Sequence, residues 1–330
     1  MNEYTMKISA IITLLIACVC APLSSAQTPS TPLSYLKAMV LAHKTQNYEQ
    51  LYIFQQGEEV DSLRYRHAYQ NNKAYAQLLY LDNAREEMLL REGMVSYFGE
   101  FQPFSLASSR ILDNLPAVLQ TDFEQLNHYN FVDMGKTRVA DRVARMIRIV
   151  PRDEFRYQYT LWIDEETSLL LKSELLDRNN NLLEQFRVIQ SVVDEQLLEI
   201  VEPIKALILP PIAPAKAADK QPLTWQPQWL PEGFKAVSTG TQDLSAVLAE
   251  DEWVESQLYS DGLFSFTVYM ATNRGVNFEE QFWREGKISI YSQTVGDKDV
   301  IIVGEIPLVS ARHIVQEIQQ NRPLVGEQTP

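Results

Sequence analysis

The chain has 330 residues, with 29 Lys and Arg against 43 Asp and Glu, a formal net charge of -14 and 45% hydrophobic residues. That composition is globular and long enough for two domains, while the acidic balance disfavours broad contact with nucleic acid or an anionic membrane and leaves basic partners or local basic patches. The only cysteines are Cys18 and Cys20, near the amino end, so the rest of the chain has no thiol for a disulfide, a metal or nucleophilic catalysis.

Lys7 and the mostly apolar run Ile8 to Cys20 read as a secretory signal, too short to span a bilayer. Ser24-Ser25-Ala26 offers the small residues of a cleavage site, whereas Leu15-Ile16-Ala17-Cys18 fits a lipobox that would leave a lipidated Cys18. Cleavage after Ala26 is the expectation, and the charge survives it because Glu3 and Lys7 cancel. No other stretch approaches the roughly 18 consecutive apolar residues of a membrane helix, so a soluble mature chain is expected.

A short amphipathic helix is predicted over Leu33 to Lys44, with Leu33, Leu36 and Val40 on one face. The pattern then changes to a period of two. Strands are predicted at Gln50 to Gln55, Val60 to Tyr69, Ala74 to Leu81, Arg85 to Leu90 and Met94 to Phe98, and turns as short as Gln70-Asn71-Asn72 force antiparallel neighbours. Pro103 to Tyr129 is less regular, with helix-like pieces around Pro116 to Leu119 and Asp122 to Leu126. Strands resume at Val143 to Val150 and Phe155 to Ile163, and a hairpin joins Ser168 to Leu176 with Leu182 to Val193.

Pro203, Pro210, Pro211, Pro214 and Pro222 punctuate an alanine-rich segment that reads as a semi-rigid linker. Beyond it, Trp253 to Tyr259 and Leu263 to Met270 flank the turn Ser260-Asp261-Gly262, with further strands at Ile288 to Val295 and Val300 to Gly304. A helix over Leu308 to Gln319, with Ala311, Ile314, Val315 and Ile318 on one side, is expected to cover this second sheet. The fold class is α+β. The expected division is a signal at 1–26, a first domain at 27–204, a linker at 205–222, a second domain at 223–320 and a tail at 321–330.

Catalytic constellations are scarce. His43, His67, His128 and His313 are scattered, with no pair at metal-ligand spacing, and neither a Gly-x-Ser-x-Gly elbow nor a phosphate-cradling glycine loop occurs. No catalytic residue, metal or cofactor is assigned. The adjacent acids Glu58-Glu59, Glu86-Glu87 and Asp164-Glu165-Glu166 fall at turns or strand ends and read as solvated charge. Between Gly135 and Arg156 the charge turns basic. Arg142 and Arg148 stand opposite Val143, Ile147 and Ile149, so the run is either a half-buried strand with a wet side or, with Arg138 and Arg145, an anion site. Tyr157 and Tyr159 belong to an aromatic surplus that is either core or the wall of an acyl-chain cavity.

Several longer words of the sequence say more than its periods. In the first domain they are Asp61 to Ala68, Leu115 to Phe123, Gly135 to Asp153, and Leu176-Asp177-Arg178 with Glu184 to Val188. In the second they are Trp229 to Phe234, Leu258 to Phe266 and Val303 to Pro307, and together, in this order, they resemble the RseB/MucB family. The chain departs from the pattern at the linker, at Gln242 to Trp253 and at Asn273 to Phe282.

The resemblance implies a LolA-like curved antiparallel half-barrel with helices, followed by a smaller antiparallel sheet with a covering helix. It implies a periplasmic protein that binds the periplasmic segment of a membrane anti-sigma factor and shields it from regulated proteolysis. Release by lipopolysaccharide or another lipid, and self-association into a homo-oligomer, are further implications. On this reading Tyr259, Asp261, Gly262 and Phe264 are candidates for partner contact, or simply a stable turn. Arg138, Arg142, Arg145, Arg148, Tyr157 and Tyr159 are candidates for lipid or anion binding. The alternative from another class is a lipid or lipoprotein carrier.

Overall fold

The first described helix, α1 (Pro32–Thr45), is announced by its cap: Thr31 accepts from the Ser34 amide, Ser34 returns the bond, and Pro32 occupies the first turn. Its buried stripe is Tyr35, Leu36, Met39, Ala42 and His43. The structure is a computed structural model that describes residues 29–82, 86–213, 223–243, 253–273, 275 and 279–320. The expected signal, the second half of the expected linker (214–222) and the tail lie outside these residues. The described residues from Thr31 onward belong to one compact unit.

Eleven strands follow α1: β1 (Tyr48–Gln56), β2 (Glu59–Gln70), β3 (Lys73–Tyr80), β4 (Glu87–Arg91), β5 (Met94–Phe98), β6 (Phe104–Ala107), β7 (Tyr129–Val139), β8 (Arg142–Pro151), β9 (Gln158–Asp164), β10 (Leu170–Leu176) and β11 (Leu182–Val193). They form one antiparallel sheet in the order β6-β5-β4-β3-β2-β1-β11-β10-β9-β8-β7. Two meanders are thus joined where β1 pairs with β11. Tight loops enforce the pattern, as at Asn71 and Asn72, whose positive φ values of 52° and 60° suit a two-residue hairpin.

The sheet is curved. Helix α1 touches both β2 and β7, which stand six strand positions apart. Laid flat, that separation would be about 29 Å, whereas a 14-residue helix is only about 21 Å long. Beside α1 the irregular segment contributes a 3-10 turn at Ala117–Gln120 and the buried side chains Val118, Leu119, Phe123 and Leu126 to the same core.

After β11 the chain crosses the outer face of this sheet. A 3-10 turn (Glu195–Ile200) and helix α2 (Val201–Ala206) pack Val201 and Ile204 against Ala68, Tyr75 and Leu89. Arg91 Nη1 donates to the carbonyls of Ile204, Lys205 and Leu207, tying down the end of α2. The next residues run along β6: Ser105 N–H donates to Pro211 O, Ala213 N–H to Ser105 O, and Ser105 Oγ to Pro210 O. The expected linker therefore begins as a strap docked on the first sheet, because its carbonyls satisfy an edge strand that would otherwise be open.

The second sheet holds β13 (Lys235–Asp243), β14 (Trp253–Ser260), β15 (Ser265–Thr272), β16 (Gln281–Glu285), β17 (Ile288–Val295) and β18 (Lys298–Gly304), in the order β13-β14-β15-β18-β17-β16. Helix α3 (Leu308–Gln316) buries Ala311, Ile314 and Val315 against it. This helix is shorter than predicted. Ile318 leaves it to form β19 (Ile318–Gln320), which pairs with β12 (Trp225–Pro227) and closes over the fully buried Trp225. No helix among the described residues is long and apolar enough to cross a membrane.

Candidate functional site

The hairpin between β14 and β15 is built locally by Asp261. Its Oδ1 accepts from the Leu263 and Phe264 amides, and Gly262, at a φ of 95°, takes the left-handed position that follows. The turn fixes where Asp261 Oδ2 and the Phe264 ring point, which is into the first sheet.

Asp261 Oδ2 accepts from Arg156 Nε at 2.9 Å and from the Tyr129 hydroxyl at 2.5 Å. The side chains of Arg156 and Asp261 are 0% and 2% exposed, so this is a buried ion pair spanning the two sheets. Asp153 and the Glu232 carbonyl also accept from the guanidinium, which lies 5.5 Å from the Tyr129 ring centre and 5.3 Å from that of Phe234. Every face of the cation is therefore occupied, which a buried charge requires. Burial and the Asp261 charge hold the Tyr129 hydroxyl far above its ordinary pKa, so it remains a donor.

Beside the ion pair, the Phe264 ring stacks on Tyr159 at 5.9 Å between centres and meets Tyr157 edge-on at 6.0 Å. The Tyr157 hydroxyl donates to Ile306 O at 2.9 Å, and Ser310 Oγ donates to Phe155 O at 2.8 Å. A second ionic contact joins Lys287 to Glu184 at 2.8 Å and to Glu305 at 3.0 Å. Burial pushes Glu184 above the ordinary carboxylate value against the pull of Lys287. Burial alone would lower Lys287, but the two carboxylates outweigh it and raise it instead. Arg284 adds a bond to Asp177 at 3.2 Å.

The residues singled out in the sequence meet here in part. Tyr259, Phe264, Tyr157 and Tyr159 are all buried, and Tyr157 and Tyr159 are covered by the very hairpin that carries Asp261, Gly262 and Phe264. The arginines lie elsewhere. Arg138 pairs with Asp141 at 2.8 Å, Arg142 with Asp164 at 2.9 Å and Glu166 at 2.8 Å, Arg145 with Asp133, and Arg148 reaches Asn180 at 3.4 Å. Cross-strand pairing puts Arg148 opposite Thr160, so Arg142 and Arg148 stand on the sheet face away from Tyr157 and Tyr159. Arg145, and Arg138 through its pair with Val143, stand on the tyrosine face.

Three expectations need correction. Asp164 is buried rather than solvated, and it also accepts from Thr167. Val143 is 42% exposed and does not share the burial of Ile147 and Ile149. Arg156, read only as one member of a charge run, is the centre of the junction. Nothing local marks it, because its partner lies 105 residues away. Among the histidines, His43 and His67 are core residues beside Tyr48, His128 lies 3.5 Å from Glu232, and His313 stacks on Trp229 at 3.8 Å.

Comparison with known proteins bears on what such a junction serves. Residues 31–213 match the MucB/RseB N-terminal domain and residues 219–319 the MucB/RseB C-terminal domain. The sigma-E factor regulatory protein RseB of Haemophilus influenzae is 39% identical over 322 residues, covering 97% of this chain and 99% of the relative. RseB of Escherichia coli K12 is 38% identical over 302 residues, covering 90% and 94%. The crystal structure of MucB in complex with MucA(peri) has the same fold, with a TM-score of 0.67 at 23% identity, covering 89% of this chain and all of that one.

Proposed function

This chain belongs to the MucB/RseB family, and on that premise we propose that it binds the periplasmic segment of a membrane anti-sigma factor and shields it from regulated proteolysis. It is a regulatory protein and not an enzyme. The observation that carries the reading is the end-to-end relation to sigma-E factor regulatory proteins, 97% of this chain against 99% of one of them. MucB, which shares the fold, is itself found in complex with MucA(peri). Export by the amino-terminal signal places the protein in the periplasm, and an intact mass beginning at Gln27 is expected.

The junction supports a lipid-sensitive version of this function. Acyl chains reach Tyr157 and Tyr159 only if the hairpin at Asp261 moves away, with Arg138 and Arg145 offering charge to a headgroup on the same face. A ligand releases a partner only by preferring the arrangement that the partner does not. If the partner also bound to the uncovered Tyr259, Asp261, Gly262 and Phe264, both ligands would favour the open junction and would help each other. Release therefore assigns these four residues the role of holding the closed, partner-competent arrangement.

The test is calorimetric titration of the full chain with its anti-sigma periplasmic segment, followed by addition of lipopolysaccharide fragments. Tight binding and lipid-driven release are expected. Lack of binding removes the function, and tighter binding with lipid reverses the assignment of the closed state.

A further inference from the structure

Two large sheets present four edges, and three of them are guarded. Strand β6 is covered by the strap at Pro210 to Ala213. Strand β7 is interrupted by a bulge between Asp133 and Lys136, with Gly135 at a φ of 91°. Strand β13 is bulged between Ala236 and Ser238. These are the devices by which sheet proteins avoid unwanted pairing.

Strand β16 has neither a covering strap nor a bulge among the described residues. Its five residues, Gln281 to Glu285, pair with β17 in unbroken register, and no backbone bond on its other side joins it to the described residues. All five are exposed, and consecutive positions put an exposed aromatic on each face: Phe282 at 36% and Trp283 at 53%. Trp283 continues across the outer face into Ile290, itself 37% exposed. A regular open edge with apolar side chains on both faces is a template for an added strand.

Charge selects the occupant. Arg284 is already bound by Asp177, and Glu280 is held by Arg312, but Glu279 and Glu285 have no cation partner among the described residues. The edge is thus acidic on a chain of formal charge -14, so a second copy would bring like charge to like. We infer that β16 is a strand-addition site for an extended protein segment carrying two adjacent apolar residues flanked by lysine or arginine. The surface goes beyond the function proposed above and stands independently of it.

The probe is a labelled peptide, Lys-Lys-Thr-Val-Val-Thr-Lys-Lys, titrated into the full processed chain and followed by anisotropy and amide hydrogen exchange. Binding is expected to slow exchange at residues 281–285. It should weaken at least tenfold for the same peptide with glutamates replacing the lysines, and equally for a version N-methylated at alternate amides. Trp283→Lys should lose binding tenfold at unchanged melting temperature, and Trp283→Thr, which keeps a strand-forming residue, serves if the lysine variant is destabilised. Absence of binding, protection elsewhere, or indifference to N-methylation overturns the site. A peptide-free dimer abolished by Trp283→Lys also overturns it, in favour of a second copy.

Discussion

His43 cannot take a proton without losing a bond. Its Nε2 accepts from the Leu170 amide at 2.9 Å while Nδ1 faces the Tyr48 hydroxyl at 2.8 Å, which fixes the neutral ring. Burial, with a smaller contribution from His67, lowers its pKa to about 3. Because the unfolded chain binds this proton near pH 6.5 and the folded chain only near 3, stability is present above that window and falls as the pH drops through it. The slope approaches about 1.4 kcal/mol per pH unit for one proton. Urea unfolding between pH 7 and pH 4 should show it, and His43→Gln should flatten the curve by close to one proton. A second residue-scale prediction concerns Asp261→Ala, which takes from the buried Arg156 guanidinium its fully buried carboxylate, leaving it only the partly exposed Asp153, and removes the Oδ1 that holds the turn. The expected loss is about 3–5 kcal/mol, read as a drop in the urea midpoint. Asp261→Asn, which can still accept from Tyr129, should lose less.

Among the elements, the strap is the one whose role the chain's composition hid. Removing its cap with Arg91→Ala should cost about 1–3 kcal/mol locally, and brief proteolysis should then cut between Leu207 and Ala213, where the unmodified chain resists. If both proteins are cut first within that span, the strap is not held by Arg91. Sequence reading found α1 and every inner strand of the first sheet because each writes one buried face, as in Tyr157, Tyr159, Leu161 and Ile163. It missed β6, β7, β12, β13, β16 and β19. Strands at edges bury little, and β7 and β16 are mostly exposed, so no alternation is imposed on them. The candidate residues were recognised by type but not by partner. Periodicity marks that Tyr159 and Phe264 are apolar positions, yet only the folded chain brings two residues 105 positions apart, such as Arg156 and Asp261, into one ion pair.

For the whole molecule, the main core runs without a break from Tyr159 in the first sheet through Phe264 to Phe266 and Ile302 in the second. Two pieces that share a core should melt together. Calorimetry is expected to give one transition for the full chain and two for a Phe264→Ala, Asp261→Ala double variant, whose junction has lost both its stacked ring and its carboxylate. One transition in both proteins would mean that the halves are coupled elsewhere. The strap also sets a leash. With Ala213 bonded to β6, only residues 214–222 separate it from Leu223, a reach of at most about 34 Å. Freed back to the end of α2 at Ala206, the same connection extends to about 58 Å. Docked, the strap keeps an opened second sheet at an effective concentration near the millimolar range, so the junction recloses quickly once its ligand leaves. Undocked, the volume available to the second sheet grows several-fold, and the same opening lasts longer with no change in the contacts that close it.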